Sequence, residues 1–249
     1  LKPTSTAAWE KKNIVAEEIA VIVPIPEAVL DDSQYDIFGE IRPLIAQAFG
    51  QVIDGAIFFN VNKPETWPTG IVTDAVAKLK KTVLGTGVDI AADVDALMAL
   101  IEAQGLDVNG FAGDVSVKSK LRGLRDNTNA LLFQPSLTAG TPSTLYGQPL
   151  EFIKNGSWDA TKALMIGGDW SQAVYAIRQD LTYKILDQAV ITDATGKVLL
   201  NLAQQDAVAL RVVMRLGWQI ANPIRPLSGK DDANRYPFAV LEPAAPSVP

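Results

Sequence analysis

The chain has neither cysteine nor histidine among its 249 residues. Without cysteine there are no disulfides, no thiolate nucleophile and no cysteine metal site, although the redox compartment stays open. Without histidine, Ser-His-Asp catalysis, histidine-ligated zinc or iron, and imidazole acid–base chemistry are excluded together. Long apolar runs are also missing: none approaches the roughly 18–20 residues that span a bilayer, and the opening LKPTSTAAWEKK lacks a signal peptide's hydrophobic stretch. Neither a membrane segment nor an export signal is expected. Basic charge is short, with 22 Lys and Arg against 28 Asp and Glu, a net charge of -6 and a pI near 4.8. That balance argues against a protein whose main work is gripping nucleic-acid phosphates, and reads as a soluble surface. Aromatic residues are only 7%, yet hydrophobic content of 48% is ample for a core, and the length fits one large domain or two modest ones.

What is present is organised around DDSQYDIFGEIRPLIAQAFGQVIDGAIFFN, residues 31–60. Apolar residues recur at Ile37, Ile41, Leu44, Ala48, Val52 and Ala56, with a second row at Phe38, Ile45, Phe49 and Ile53, which predicts one long helix with a broad apolar stripe. Asp32 or Ser33 is the expected N-cap, Asp36 and Glu40 suit the positive end of the helix dipole, and Asn60 with Lys63-Pro64 stops it. Unbroken from Gln34 to Phe59, it would reach roughly 39 Å at about 1.5 Å per residue. Pro43 predicts either a kink or a start near that residue.

Two late segments alternate with period two. Tyr175, Ile177, Leu181, Tyr183 and Ile185 alternate with polar neighbours, as do Val208, Leu210, Val212, Met214, Leu216, Trp218 and Ile220, predicting two long half-buried strands. The second would span roughly 43 Å at about 3.3 Å per residue, well above the usual strand of about 5–6 residues. It is expected to pack on the long helix. Between the strands, Asp193 to Gly196 has a hairpin turn signature. Upstream, Ile19 to Val23 is apolar on both faces and enters the core, while Pro24 and Pro26, two apart, leave one side of an extended chain without N–H groups and predict a sheet edge or a strand's end. Leu1 to Glu18 is expected to make few contacts within its own molecule. KPETWPTGIV leads into a different region, with a boundary near Asn62. Asp89 to Gln104 reads as a helix with Asp93 and Asp95 early, Val94, Leu97, Met98 and Ile101 on one side, and Gly105 ending it. Ser116 to Arg125 reads as a short basic helix, and the stretch from Asp126 to Leu150 as loop with short strands. One long helix along long antiparallel strands makes an elongated slab, which suits a building block better than a pocket enzyme.

The chemistry-bearing candidates are few. GTGVD at Gly85 and IGGDW at Gly167 lack dinucleotide or P-loop spacing and read as turns. The carboxylate pairs Glu17-Glu18, Asp31-Asp32 and Asp231-Asp232 read as surface charge rather than a cation site or acid–base pair. Lys118, Lys120, Arg122 and Arg125, with Lys78, Lys80 and Lys81, are the basic clusters. They read as a solvated face or subunit contact, since interleaved aromatics are missing. Asn155-Gly156-Ser157 matches a glycosylation sequon, of little meaning without a secretion signal. No catalytic residue, metal ligand or cofactor site is assigned. A histidine-free α/β enzyme or ligand-binding module, with a carboxylate and Arg or Lys site, stands as the different class.

The order of VIVPIPEAVLDDS, the long helix ending QVIDGAIFFN, KPETWPTGI, KSKLRGLRDNTNALLFQP, STLYGQPLEF, ALMIGGDWSQAVYAIRQDLTYKI and AVALRVVMRLGWQIANP resembles the major capsid proteins of tailed bacteriophages, the Hong Kong 97 fold family. The resemblance covers nearly the whole chain. It implies an α+β fold with a long spine helix, long antiparallel strands and an inserted axial α/β domain. It divides the chain into a partial extended loop at 1–26, a peripheral domain at 27–62 and 170–221, an axial domain at 63–169 and 222–243, and a disordered tail at 244–249. The implied function is structural: copies of the chain, as pentamers and hexamers, tile an icosahedral shell around double-stranded DNA, without catalysis or cofactor. Scaffold, protease and portal proteins are the other implied partners, DNA is touched only non-specifically, and assembly is in the bacterial cytoplasm. An encapsulin-like nanocompartment is the near alternative. Only the descending limb of the family's extended loop is matched, at Leu1 to Ile25, so further residues before Leu1 are expected, and a chain beginning at Leu1 is expected to build no stable shell and to be monomeric or weakly associated. No lysine–asparagine pair matches the family's isopeptide cross-link; Lys2, Lys11 and Lys12 are merely lysines near the loop, and no cross-link is expected.

Overall fold

Alternation and punctuation in the sequence translate into eleven strands and five α-helices among the residues that the structure, a computed structural model, describes: 11–124, 143–193, 195–221 and 234–244. In chain order they are β1 (Glu17–Pro26), α1 (Glu27–Asp32), α2 (Ile37–Phe59), α3 (Ile71–Ala77), β2 (Lys81–Val83), α4 (Ile90–Glu102), β3 (Gly110–Asp114), α5 (Val117–Arg122), β4 (Thr144–Leu145) and β5 (Gln148–Ile153). There follow β6 (Met165–Gly168), β7 (Ala173–Leu186), β8 (Val190–Thr192), β9 (Val198–Asn201), β10 (Ala207–Ile220) and β11 (Phe238–Glu242). The expectations for Leu1 to Glu10, Arg125, most of the loop after it, Asp231-Asp232 and the last five residues of the tail fall outside the described residues.

Contacts gather the chain into two compact units, one of Ile14–Gly50 with Tyr175–Trp218, the other of Gln51–Val174 with Gln219–Pro249 and Leu1–Asn13. The divisions fall inside α2, β7 and β10, whereas the family resemblance divides the chain near Asn62, before Trp170 and after Ala221.

The first unit is built on a three-stranded sheet of order β1-β10-β7. β1 pairs antiparallel with β10 from Glu17↔Leu216 to Pro26↔Ala207, and it lies at the edge, as Pro24 and Pro26 require. This register aligns Ile19, Val21 and Val23 with Met214, Val212 and Leu210 on one face. There they pack against Ile45 and Phe49 of α2, with Phe38, Ile41 and Leu181 beside them. The long helix and the late strand thus share a core, each fully buried large side chain contributing roughly 1.5–3 kcal/mol. The opposite face of β10 is covered too: Ala207 and Ala209 cluster with Leu202, Ile191 and Leu200, carried by the β8–β9 hairpin. Its turn forms as expected, with Asp193 Oδ1 accepting from Thr195 N at 2.8 Å and Lys197 N at 3.0 Å.

Several expectations need correction. The long helix begins at Ile37, not near Gln34, because Glu27–Asp32 forms the separate helix α1. Asp32 is in its last turn and Ser33 is its C-cap, with the Ser33 hydroxyl donating to Leu30 O and Tyr35 O. Asp36 takes the position before α2, its carboxylate lying 2.8 Å from where a Cβ on Gly39 would sit. Pro43 neither starts nor ends the helix. It is exposed, as is Gly39, so the carbonyl one turn back that loses its partner faces water. The buried stripe is narrower than the pattern suggests: Leu44 and Val52 are exposed while Ile45 and Phe49 are buried. β7 is not half-buried but largely exposed, and β10 is buried on both faces as the middle strand.

The second unit carries a six-stranded mixed sheet of order β2-β11-β6-β3-β5-β4. One face packs on α4 through Val94, Leu97 and Ile101, with Phe111, Leu150, Met165, Ala239 and Leu241 from the strands and Leu121 of α5. Asp89 caps α4, accepting from Ala92 N at 2.9 Å, and Gly105 follows its end at φ 72°. The alternate residues Phe238 and Val240 of β11 are equally buried, so this strand is apolar on both faces, as the centre of a covered sheet demands. Phe58 and Phe59 end α2 against Trp158, with ring centroids 5.5 and 5.3 Å apart, and Trp170 stacks edge-on to Phe238 at 5.0 Å. Asn60 stops the helix in the left-handed region at φ 61°, its side chain accepting from Gly70 N at 2.6 Å. The basic helix is shorter than expected, Val117–Arg122.

Candidate functional site

The two glycine-rich pieces resolve differently. GTGVD is a turn wrapped round the chain's own carboxylate: Asp93 accepts from Gly85 N at 2.7 Å, Gly87 N at 2.7 Å and Thr86 Oγ1 at 3.0 Å. Burial raises the pKa of Asp93, but these bonds outweigh it and hold the carboxyl below its ordinary value. Donors that could have cradled a phosphate are therefore already occupied. Sequence reasoning placed Asp93 only as helix-start charge; the available signal was a small-residue turn six to eight residues ahead of an acid on the buried helix face. IGGDW is not a turn. Gly167 and Gly168 lie inside β6, where a Cβ on Gly167 would come within 2.7 Å of Leu97 Cδ2 and 2.8 Å of Phe111, and one on Gly168 would overlap Phe238. Asp169 then caps a short 3-10 turn, bonded to Ser171, Gln172 and Asn109, and these bonds likewise outweigh burial and lower its pKa.

The remaining candidates do not converge. Glu18 is exposed, 3.9 Å from Arg211, and Asp31 and Asp32 are exposed at the end of α1. No group of three or more acidic residues that could hold a metal ion occurs among the described residues. Lys78 pairs with Asp74 at 3.7 Å and lies 5.0 Å from the Tyr236 ring, and Lys81 pairs with Glu242 at 3.0 Å. Burial, with the Asp74 charge, pushes the Tyr236 phenol upward. On α5, Val117 and Leu121 are buried while Lys120 and Arg122 are exposed, and Lys118 sits 5.7 Å from the Phe152 ring. Lys12 donates to Ile220 O at 3.0 Å. Asn155 of the sequon donates to Asp54 Oδ2 at 2.5 Å. Burial holds Asp54 above the usual carboxylate range despite the bonds from Asn155 and Ser157.

What the first unit offers instead is surface for association. On β7, Tyr175 is 70% exposed, Ile177 49% and Ile185 55%, all on the side of the strand that carries Leu181 into the helix-packed core. An open depression of about 590 Å³ runs along Ala28, Val29, Asp32, Ser33, Gln34 and Tyr35, with Tyr35 68% exposed. Both outer strands, β1 and β7, have one partner each among the described strands. Apolar rows and free edges of this kind recruit other chains rather than small molecules. No described helix is long and apolar enough to cross a membrane.

The chain belongs to the Phage capsid family, whose model matches residues 2–227. Its fold is the α+β Hong Kong 97-like fold of phage capsids. Among relatives, it is 28% identical over 224 residues to the major capsid protein of Staphylococcus phage 80alpha, covering 88% of this chain and 65% of that protein. The chain thus spans just under two thirds of that relative's length. A solved structure from Microbacterium phage Oxtober96 is 39% identical, with a TM-score of 0.83 over 98% of this chain and 77% of that one. Another, from Mycobacterium phage Cain, is 29% identical with a TM-score of 0.83, covering 98% and 78%.

Proposed function

We propose that the chain is a structural major capsid protein, self-assembling into an icosahedral shell that encloses double-stranded DNA in a tailed phage or prophage. The observation that carries this is the exposed apolar row on β7 in a chain of the Phage capsid family. Tyr175 and Ile177 lie beside each other on one side of a single strand, so a partner surface can cover them together, and leaving them in water would favour aggregation. The partner is another copy of the chain, in pentamers and hexamers. On this reading 27–62 with 170–221 is the peripheral domain, and 63–169 with 222–243 the axial one. Scaffold, protease and portal proteins act during assembly in the bacterial cytoplasm, and the virion is the destination. A net charge of -6 suits a wall that meets DNA without gripping it. The test is electron microscopy and light scattering of the full-length gene product. Closed symmetric particles are expected, and a full-length product that stays monomeric alone and with its co-expressed neighbouring genes refutes the proposal.

A further inference from the structure

The turn Asn155-Gly156-Ser157 gathers an amide, its hydrogen-bond donors and a carboxylate in the geometry of a small reaction centre. The turn leaves β5 with Asn155 and Gly156 exposed and Gly156 at φ 79°. Asn155 Oδ1 accepts two bonds, from Ser157 N at 3.0 Å and Ser157 Oγ at 2.6 Å. Its Nδ2 donates to Asp54 Oδ2 on α2 at 2.5 Å. The Gly156 N–H is engaged in no hydrogen bond among the described residues. Glycine presents no side chain to shield that nitrogen, and the nearest group to where a Cβ would stand is Gln51 Nε2 at 3.4 Å.

We infer that Asn155 is a site of self-promoted deamidation, in which the Gly156 backbone nitrogen attacks Asn155 Cγ while Ser157 holds the developing oxyanion and Asp54 protonates Nδ2 so that it departs as ammonia. The N–Cγ bond forms as Gly156 N gives its proton to water. Negative charge then gathers on Oδ1, where the Ser157 N–H and Oγ–H already point, the arrangement that stabilises tetrahedral intermediates. Asp54 in its acid form gives a proton to Nδ2, the Cγ–Nδ2 bond breaks, and ammonia departs. Solvent returns the proton to Asp54, so the net change is loss of ammonia and closure of a succinimide. Water then opens the ring at either carbonyl, leaving aspartate or isoaspartate. Burial supports the donor role, because it keeps the Asp54 carboxyl above its usual range; among the described residues Asp54 forms no salt bridge, and Asn155 and Ser157 bond to it. The product sets a new carboxylate against Asp54, so the turn lets go of α2.

The test is to age the purified chain at neutral and mildly acidic pH and follow the Asn155 peptide by mass spectrometry and isoaspartate detection, with the denatured chain as reference. Isoaspartate should accumulate at 155 faster in the folded chain than in the denatured one. Asp54→Asn keeps the hydrogen-bond acceptor but loses the acid, and should slow the reaction by at least about tenfold at mildly acidic pH, since general acids contribute about 10²–10⁴-fold. Ser157→Ala should slow it by about tenfold or more through loss of an oxyanion donor. Asn155→Gln, with a longer ring to close, should stay intact. A folded chain that deamidates no faster than the denatured one, or rates unmoved by Asp54→Asn and Ser157→Ala, would overturn the inference.

Discussion

Replacing Val212 with aspartate puts the helix–strand core of the first unit to its hardest test. Val212 is fully buried at the centre of β10, opposite Val21 of β1 and against Ile45 and Phe49 of α2. Truncation to alanine removes two methyl groups, about 1.6 kcal/mol at roughly 0.8 kcal/mol per carbon, and with the residual cavity about 2–3 kcal/mol. Aspartate loses the same apolar area and sets an unpaired carboxylate among apolar side chains. Burying such a group costs several kcal/mol more, so the total approaches the whole stability of a typical domain, about 5–15 kcal/mol. The contrast is Ile177→Asp on β7, half exposed in the single chain, where less than about 0.5 kcal/mol is expected. Thermal melts followed by circular dichroism, with soluble yield, separate the cases. Val212→Ala should melt about 4–12 °C lower at roughly 2–4 °C per kcal/mol, Val212→Asp should not accumulate as folded protein, and Ile177→Asp should melt like the parent. A Val212→Asp chain that melts normally, or an Ile177→Asp chain that unfolds as readily, would refute the assignment of core and surface.

Asp93→Asn should cost about 1.5–3 kcal/mol in urea unfolding, since an amide nitrogen would face an N–H of Gly85 or Gly87 where a charged acceptor stood. Because the folded pKa of Asp93 lies below its ordinary value, its contribution is complete above about pH 4 and fades as pH falls through the folded value. Acid should therefore destabilise the parent more than Asp93→Asn, and equal acid sensitivity would count against the loop. Gly168→Ala should cost about 1–3 kcal/mol because its Cβ meets the Phe238 ring, whereas Gly50→Ala in α2, with nothing within 4 Å, should be neutral or stabilising by up to about 1 kcal/mol. Equal unfolding midpoints for the two glycine variants would show that close packing does not explain Gly168.

The elements that were legible are those whose residues answer to a local rule. Pro24 and Pro26 announce an edge because a missing N–H is a property of the residue itself, and Asn60 stops α2 because it tolerates φ 61°. The misreadings share a different cause. Asp36 displaces Asp32 and Ser33 as the residue before α2 because a separate turn of helix, α1, intervenes, and an apolar count cannot see a break among polar residues. β6 and β11 escaped notice because the first is written in glycines that admit Leu97, Phe111 and Phe238, and the second is covered on both faces and so does not alternate. Asp93 lies in the first turn of α4 as expected, but its hydrogen bonds to a loop up to eight residues upstream leave no periodic trace. The deepest failure concerns β7. Period-two alternation states that Tyr175, Ile177, Leu181, Tyr183 and Ile185 share a face, but not what covers that face, and in the single chain only Leu181 joins the packed core. On the proposed function another copy of the chain meets the demand for burial, and the sequence records that demand without recording which chain meets it. Apolar periodicity stronger than the burial it achieves is thus itself a sign of assembly.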